Sequence, residues 1–322
     1  YTVDVYVQGD CEDCAETGEK VIMTMAGASA TPGTQPLVLY SANKGESFSQ
    51  QTISTLFSNE DVIGAQIVGD ILILISNIAN EIHWTSVTEL YENANTWNQV
   101  NSGFVASKNA NAMIFSDIRH GWIVGNGGYI YFVGNFKVGV TVQDAGVATT
   151  QHLRAVSAFD QDNVLTVGDS NAVVFTSNGG VSWESVTGPA VGVNLGACWM
   201  WDAKTWFVGE GAGGTGKLWL TTNSGVTWTQ VGLPATYVRI DKIQFVSEAE
   251  GYIAARSGGQ SYILRTITAG YEWVVLPSGK RGTPVVNSRL NDIAVTSKFA
   301  NLVYAAGLAQ NGTAGIALKM SA

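Results

Sequence analysis

The sequence predicts an all-β fold, a seven-bladed β-propeller of four-stranded blades, on three observations. An eight-residue turn recurs with its tryptophans 45 residues apart, at Trp183, Trp228 and Trp273. A short β-branched, glycine-bounded run precedes the copies, and no apolar stretch is long enough to cross a bilayer. Repeats of about 40 to 50 residues indicate propellers or helical arrays, so the whole chain, residues 1–322, reads as one domain.

From the N-terminus, residues Thr2 to Gln8 alternate apolar and polar. That alternation suits the missing outer strand of the last blade, which would close the ring; the rival placement is the innermost strand of the first unit. An acidic loop at 10–19 follows as an insertion. Four copies of the turn share one frame: Ser41 to Phe48, with Asn43 and Gly45; Thr176 to Trp183, with Asn178 and Gly180; Thr221 to Trp228, with Asn223 and Gly225; and Thr266 to Trp273, with Gly270. Thr96-Trp97 and Gly139-Val140 mark decayed copies. In this turn the asparagine bonds nearby amides and the glycine supplies a positive φ, so structure alone explains the residue choice. The upstream run appears as Gly121-Trp-Ile-Val-Gly125, Val164 to Gly168, Thr205 to Gly209, Gly251 to Ala255 and Val303 to Gly307. Each unit then reads as four strands, for instance 153–159, 163–168, 172–176 and 183–186. The last unit, 290–295, 302–307 and 315–320, lacks an outer strand.

Composition narrows the function. Hydrophobic residues make up 46% and charged residues 13%, about half the charged share of an ordinary soluble domain, which excludes a disordered chain. The longest apolar run, Ile71 to Ile75, suits a strand buried on both faces. The net charge of −9 is uneven: residues 1–100 carry 13 acids against Lys20 and Lys44, giving −11, while residues 101–322 carry 13 acids and 15 bases, giving +2. Without a basic cluster, nucleic acid is set aside as a partner. The acidic first blades are expected to dock a basic surface on another subunit.

The turn S/T-x-D/N-x-G-x-S/T-W resembles the Asp-box, or bacterial neuraminidase repeat, with Asn in place of Asp. Joined to the Gly-Trp-Ile-Val-Gly strand, it is similar to the photosystem II stability and assembly factor propellers, whose relatives include phage virion proteins. The resemblance implies a non-catalytic structural or protein-interaction module. The expected setting is a large assembly such as a phage virion, capsid- or tail-associated, placing the chain in a virion or outside the cell. Its alternatives are a carbohydrate-binding or sialidase-like glycosidase propeller and an assembly factor like the photosystem II stability factors.

Candidate site residues follow from this comparison. A sialidase needs an arginine triad, a tyrosine nucleophile and acidic groups. Of seven arginines, Arg239 and Arg289 fall six residues before the matching positions Phe245 and Val295, as channel-mouth or blade-junction residues. Ion pairing at blade junctions is the favoured role, and no catalytic residue is assigned. Asp160, Asp162, Asp202, Glu248 and Glu250 lie on loops between first and second strands, where solvated turns are the ordinary use of acids. His83, His120 and His152 lack ligand spacing, so neither metal nor cofactor is expected. Cys11 and Cys14 form a local disulfide or stay as free thiols. Four tryptophans outside the repeat positions, Trp84, Trp199, Trp201 and Trp219, are the candidates for stacking on a sugar.

Overall fold

The computed structural model describes residues 2–6, 20–25, 37–41, 47–52, 62–76, 80–92, 96–276, 288–295, 302–309 and 315–321. At the start of the chain, β1 (Thr2–Tyr6), β2 (Lys20–Met25), β3 (Leu37–Ser41) and β4 (Ser49–Thr52) pair antiparallel in that order. The next sheet holds β5 (Val62–Val68), β6 (Ile71–Ser76), β7 (Ile82–Ser86) and β8 (Asn98–Val100), with a short helix α1 (Val87–Tyr91) between its last two strands. Then come β9 (Ala110–Asp117), β10 (His120–Gly125), β11 (Tyr129–Asn135) and β12 (Gly139–Ala145). The following sheet contains β13 (Leu153–Ala158), β14 (Val164–Gly168), β15 (Ala172–Thr176) and β16 (Glu184–Thr187). Its successor contains β17 (Leu195–Met200), β18 (Trp206–Glu210), β19 (Leu218–Thr221) and β20 (Thr229–Val231). After β21 (Arg239–Phe245), β22 (Gly251–Ser257), β23 (Gln260–Thr266) and β24 (Val274–Val275), a final sheet joins β25 (Ser288–Val295), β26 (Leu302–Ala309) and β27 (Gly315–Ser321).

The expected ring of seven four-stranded blades closed by the N-terminal strand is therefore corrected. Five four-stranded blades follow one another from β5 to β24, and the sheets at the two ends of the chain differ from the expectation. The sheet of β25 to β27 has three strands, and β1 pairs with β2 instead of completing it. Alternation along 2–8 could not decide between these placements, because period two is the same on an outer and an inner strand. First strands stand side by side in the order β1, β5, β9, β13, β17, β21, β25, and β25 returns to β1. The ring closes by packing of inner strands.

Burial explains the recurrent apolar runs. The second strand of each of the five blades lies between two neighbouring sheets, so β14 and β18 are buried along their whole length and β6 and β10 at all but the first residue. Such a strand needs apolar residues on both faces, which is why Gly-Trp-Ile-Val-Gly does not alternate. Outer strands β16, β20 and β24 are largely exposed. The core sits between sheets. Ile73 and Ile75 pack with Phe115 and Tyr131 across one junction, and Phe207 with Tyr237 and Ile253 across another.

Polar clasps fix neighbouring blades to each other at the far end of the inner strands. The Gln66 side chain accepts the Phe115 amide at 2.7 Å and donates to the Phe115 carbonyl at 2.9 Å. At equivalent positions, Ser157 Oγ accepts the Met200 amide at 2.9 Å, and Gln244 Nε2 donates to the Val295 carbonyl at 3.3 Å. Antiparallel pairing sends first and third strands the same way. Loops after those strands thus lie on one face of the ring, the turn face, and loops after second and fourth strands on the opposite face.

Candidate binding cavity and turns

Each first strand from β5 to β25 carries one extra residue near its start. The register slips between Val62 and Gly64, Ala110 and Ala112, Leu153 and Ala155, Leu195 and Ala197, Ile240 and Lys242, and Leu290 and Asp292. These are β-bulges, which re-aim the side chain of the unpaired residue. The six bulged residues, Ile63, Asn111, Arg154, Gly196, Asp241 and Asn291, all line one cavity of about 450 Å³ between the inner strands. The face on which they sit is the bulge face.

The charged groups there are paired. Arg154 makes a bidentate contact with Asp169, 2.9 Å from Nε and 2.6 Å from Nη2, and remains 41% exposed. Asp241 is held at 2.7 Å by Arg239 Nη2 and at 2.7 Å by Arg256 Nε. Burial pushes the Asp241 carboxyl upward, against the pull of the Arg256 and Arg239 guanidiniums. Arg256 Nη2 also donates to Asn291 Oδ1 at 2.6 Å and to the Leu290 carbonyl, linking the blade of β21 to the next sheet. Lys242 Nζ lies 3.2 Å from Asp292 and is 46% exposed. Asn111 Nδ2 donates to the Leu153 carbonyl at 2.8 Å, across another junction. Cys198 lines the same cavity, and burial pushes its thiol up to about 12, far from the thiolate a nucleophile requires.

Arg239, the first residue of β21, is thus ion-paired with Asp241, which lines the cavity. Arg289 lies in β25 opposite Leu308, its side chain outside the described residues. Sequence reasoning missed Arg256, although its place directly after Gly251 to Ala255 puts it at the bulge-side end of a buried strand. The bulges were also missed, because one inserted residue leaves the apolar pattern of a strand intact.

On the turn face, Thr176 Oγ1 accepts the amides of Asn178 and Gly180, and Asn178 Oδ1 accepts the Ser182 amide. The same bonds recur around Thr221, Asn223, Gly225 and Thr227. In the copy from Thr266 to Trp273, Thr268 takes the asparagine's part, its hydroxyl accepting the Glu272 amide at 2.9 Å while Thr266 Oγ1 accepts the Gly270 amide. Two successive residues have positive φ in each of these three copies, Gly179-Gly180, Ser224-Gly225 and Ala269-Gly270. Trp183, Trp228 and Trp273 pack into the clusters between their own blade and the one before. Ser41 is buried at the end of β3 and Phe48 is partly buried, while Asn43 and Gly45 lie outside the described residues, as do Cys11, Cys14 and the acidic loop 10–19.

The loop acids serve their own turns. Asp160 Oδ1 accepts the amides of Asp162 and Asn163, Asp202 Oδ1 those of Lys204 and Thr205, and Glu250 pairs with Arg265. Burial disfavours the ionised Asp160 and Asp202, yet these bonds hold both below the usual carboxylate range, opposite to what a general acid needs. No group of three or more metal-ligating side chains occurs among the described residues. The four remaining tryptophans have neighbours: Trp84 on Phe136, Trp199 and Trp201 on Phe245, and Trp219 bonded to Glu210.

No family model matches the chain, and no curated protein does. Solved structures do. YCF48 from Cyanidioschyzon merolae is 14% identical with a TM-score of 0.68, over 100% of this chain and 95% of that one. YCF48 bound to D1 peptide is 13% identical with a TM-score of 0.66, over 95% and 93%. A catalytically inactive virginiamycin B lyase from Staphylococcus aureus with quinupristin is 12% identical with a TM-score of 0.72, over 100% and 94%. The chain has a β-propeller fold. At these identities the likeness is one of fold, shared by a peptide-bound protein and an enzyme alike.

Proposed function

We propose that this chain is a non-catalytic, protein-binding propeller of the assembly-factor kind, which receives a segment of its partner at the bulge-side mouth of the cavity. The supporting observation is the set of six aligned bulges, which bring side chains of mixed polarity to one opening. A mouth combining Ile63, Asn111, Arg154 and Lys242 offers apolar contact, an amide and two half-exposed cations within one concave site, the pattern of a recognition pocket. The acids that could do chemistry there are committed to arginine or lysine, and the Cys198 thiol is held protonated. The likeness to YCF48 bound to a peptide agrees with this reading. A virion role gains no support from the comparisons.

A peptide array drawn from the proteins encoded beside this chain tests the proposal. Binding should fall about ten-fold in Arg154→Ala and in Lys242→Ala, the loss of a single well-placed contact. Assays of glycoside cleavage and of quinupristin breakdown should show no turnover. Turnover abolished by Asp241→Asn would overturn the non-catalytic reading.

A further inference from the structure

The turn face carries a feature that neither the fold nor the cavity uses. In three consecutive blades the residue after the left-handed glycine is apolar and exposed: Val181 at 87%, Val226 at 79% and Tyr271 at 69%. The turn asks nothing of that side chain. Only its amide is used, donating to the carbonyls of Asn178, Asn223 and Thr268 respectively. In the first copy of the repeat the same position is Glu46, so a charged residue satisfies the sequence frame equally well. Single exposed aliphatic residues are ordinary, but repetition at one position of successive blades, on one face, makes a row. Ile267 and Phe159, on loops of the same face, are also exposed.

Two further properties suit docking. The row is rigid, because each stud stands on a turn fixed by the hydroxyl and amide bonds described above, and the turns are tied to the neighbouring loops by the Gly179, Ser224 and Ala269 amides. Preorganised side chains lose little entropy on binding. The row is also bordered by acid, with Asp162, Glu184, Glu248 and Glu272 exposed around it against an exposed Lys204. A second copy of this chain would set acid against acid, whereas basic residues around an apolar centre would complement it.

We propose that the turn face of the blades β13 to β24 docks a separate protein whose contact patch is apolar and rimmed by lysine or arginine. This rests on the protein-binding reading but lies on the face opposite the cavity mouth, so the two can fail independently. The test uses the full chain with two synthetic amphipathic helical peptides, one of leucine and lysine, the other of leucine and glutamate. The lysine peptide should bind, with affinity falling as salt rises. The combined variant Val181→Ser, Val226→Ser, Tyr271→Ser should bind it about ten-fold more weakly, at an unchanged melting temperature. Arg154→Ala, on the other face, should leave this binding intact. Absence of binding, equal binding of the glutamate peptide, or undiminished binding by the triple variant would each overturn the proposal. So would a dimer of the chain, seen by sedimentation, that the triple variant abolishes.

Discussion

At the scale of single residues, the turns are built on one buried hydroxyl. Thr221 Oγ1 accepts the Gly225 and Asn223 amides and donates to Asn223 Oδ1. Thr221→Val keeps the shape and removes the acceptor, leaving the buried Gly225 amide unsatisfied, so unfolding stability should drop by about 1 to 3 kcal/mol. Thr221→Ser should restore most of it; equal denaturation midpoints for valine and serine would contradict the assignment. Gly225 itself has φ +80, and a Cβ there would come within 2.7 Å of Val186. The glycine and asparagine of this turn were legible in the sequence. The positive φ of Ser224 and Ala269 was not, since neither residue advertises a left-handed backbone.

His83 offers a second test at this scale. It is fully buried on β7, and burial lowers its pKa from 6.5 to about 4 despite Glu81 at 3.2 Å. Its folded value is depressed, so the unfolded chain binds the proton more readily. The neutral ring's contribution is complete above pH 6.5 and is lost as pH falls through 6.5 toward about 4. The full loss amounts to about 3 kcal/mol. Stability measured across that window should slope upward with pH, and His83→Gln should flatten the slope; an unchanged slope would assign the acid sensitivity to other groups.

At the scale of elements, the second strands were the most legible part of the fold because burial on both faces leaves no room for alternation. The inter-blade clasps were invisible by comparison. A glutamine at position 66 and a serine at 157 look like any polar residue on an alternating strand, and only the ring sets them against Phe115 and Met200. Gln66→Leu would leave both the amide and the carbonyl of Phe115 without their partner, a cost of about 1 to 3 kcal/mol. Hydrogen exchange should read this locally. The Phe115 amide should lose protection in Gln66→Leu while the Met200 amide, held by Ser157, keeps it. Simultaneous loss at both would mean the blades open as one unit, not junction by junction.

At the scale of the molecule, the decisive question is how the ring closes. A propeller that shares a sheet between its two ends is locked by backbone hydrogen bonds, whereas here β1 completes its own sheet and meets β25 and β5 through packing between inner strands. The closing junction therefore resembles every other junction and depends on β1 being present at the axis. Deleting residues 1–9 would strip β2 of its inner partner along the register Thr2↔Thr24 to Tyr6↔Lys20 and uncover the flanks of β5 and β25 together. Lost pairing and lost burial act in the same direction, so stability should fall by several kcal/mol. The placement itself has a separate signature. If β1 is innermost in the first sheet, the deletion should expose amides of β2 to exchange and leave those of β27 as they were. Deprotection of β27 with β2 unchanged would return the N-terminal strand to the last sheet, and an unaltered melting temperature would remove β1 from the closure altogether.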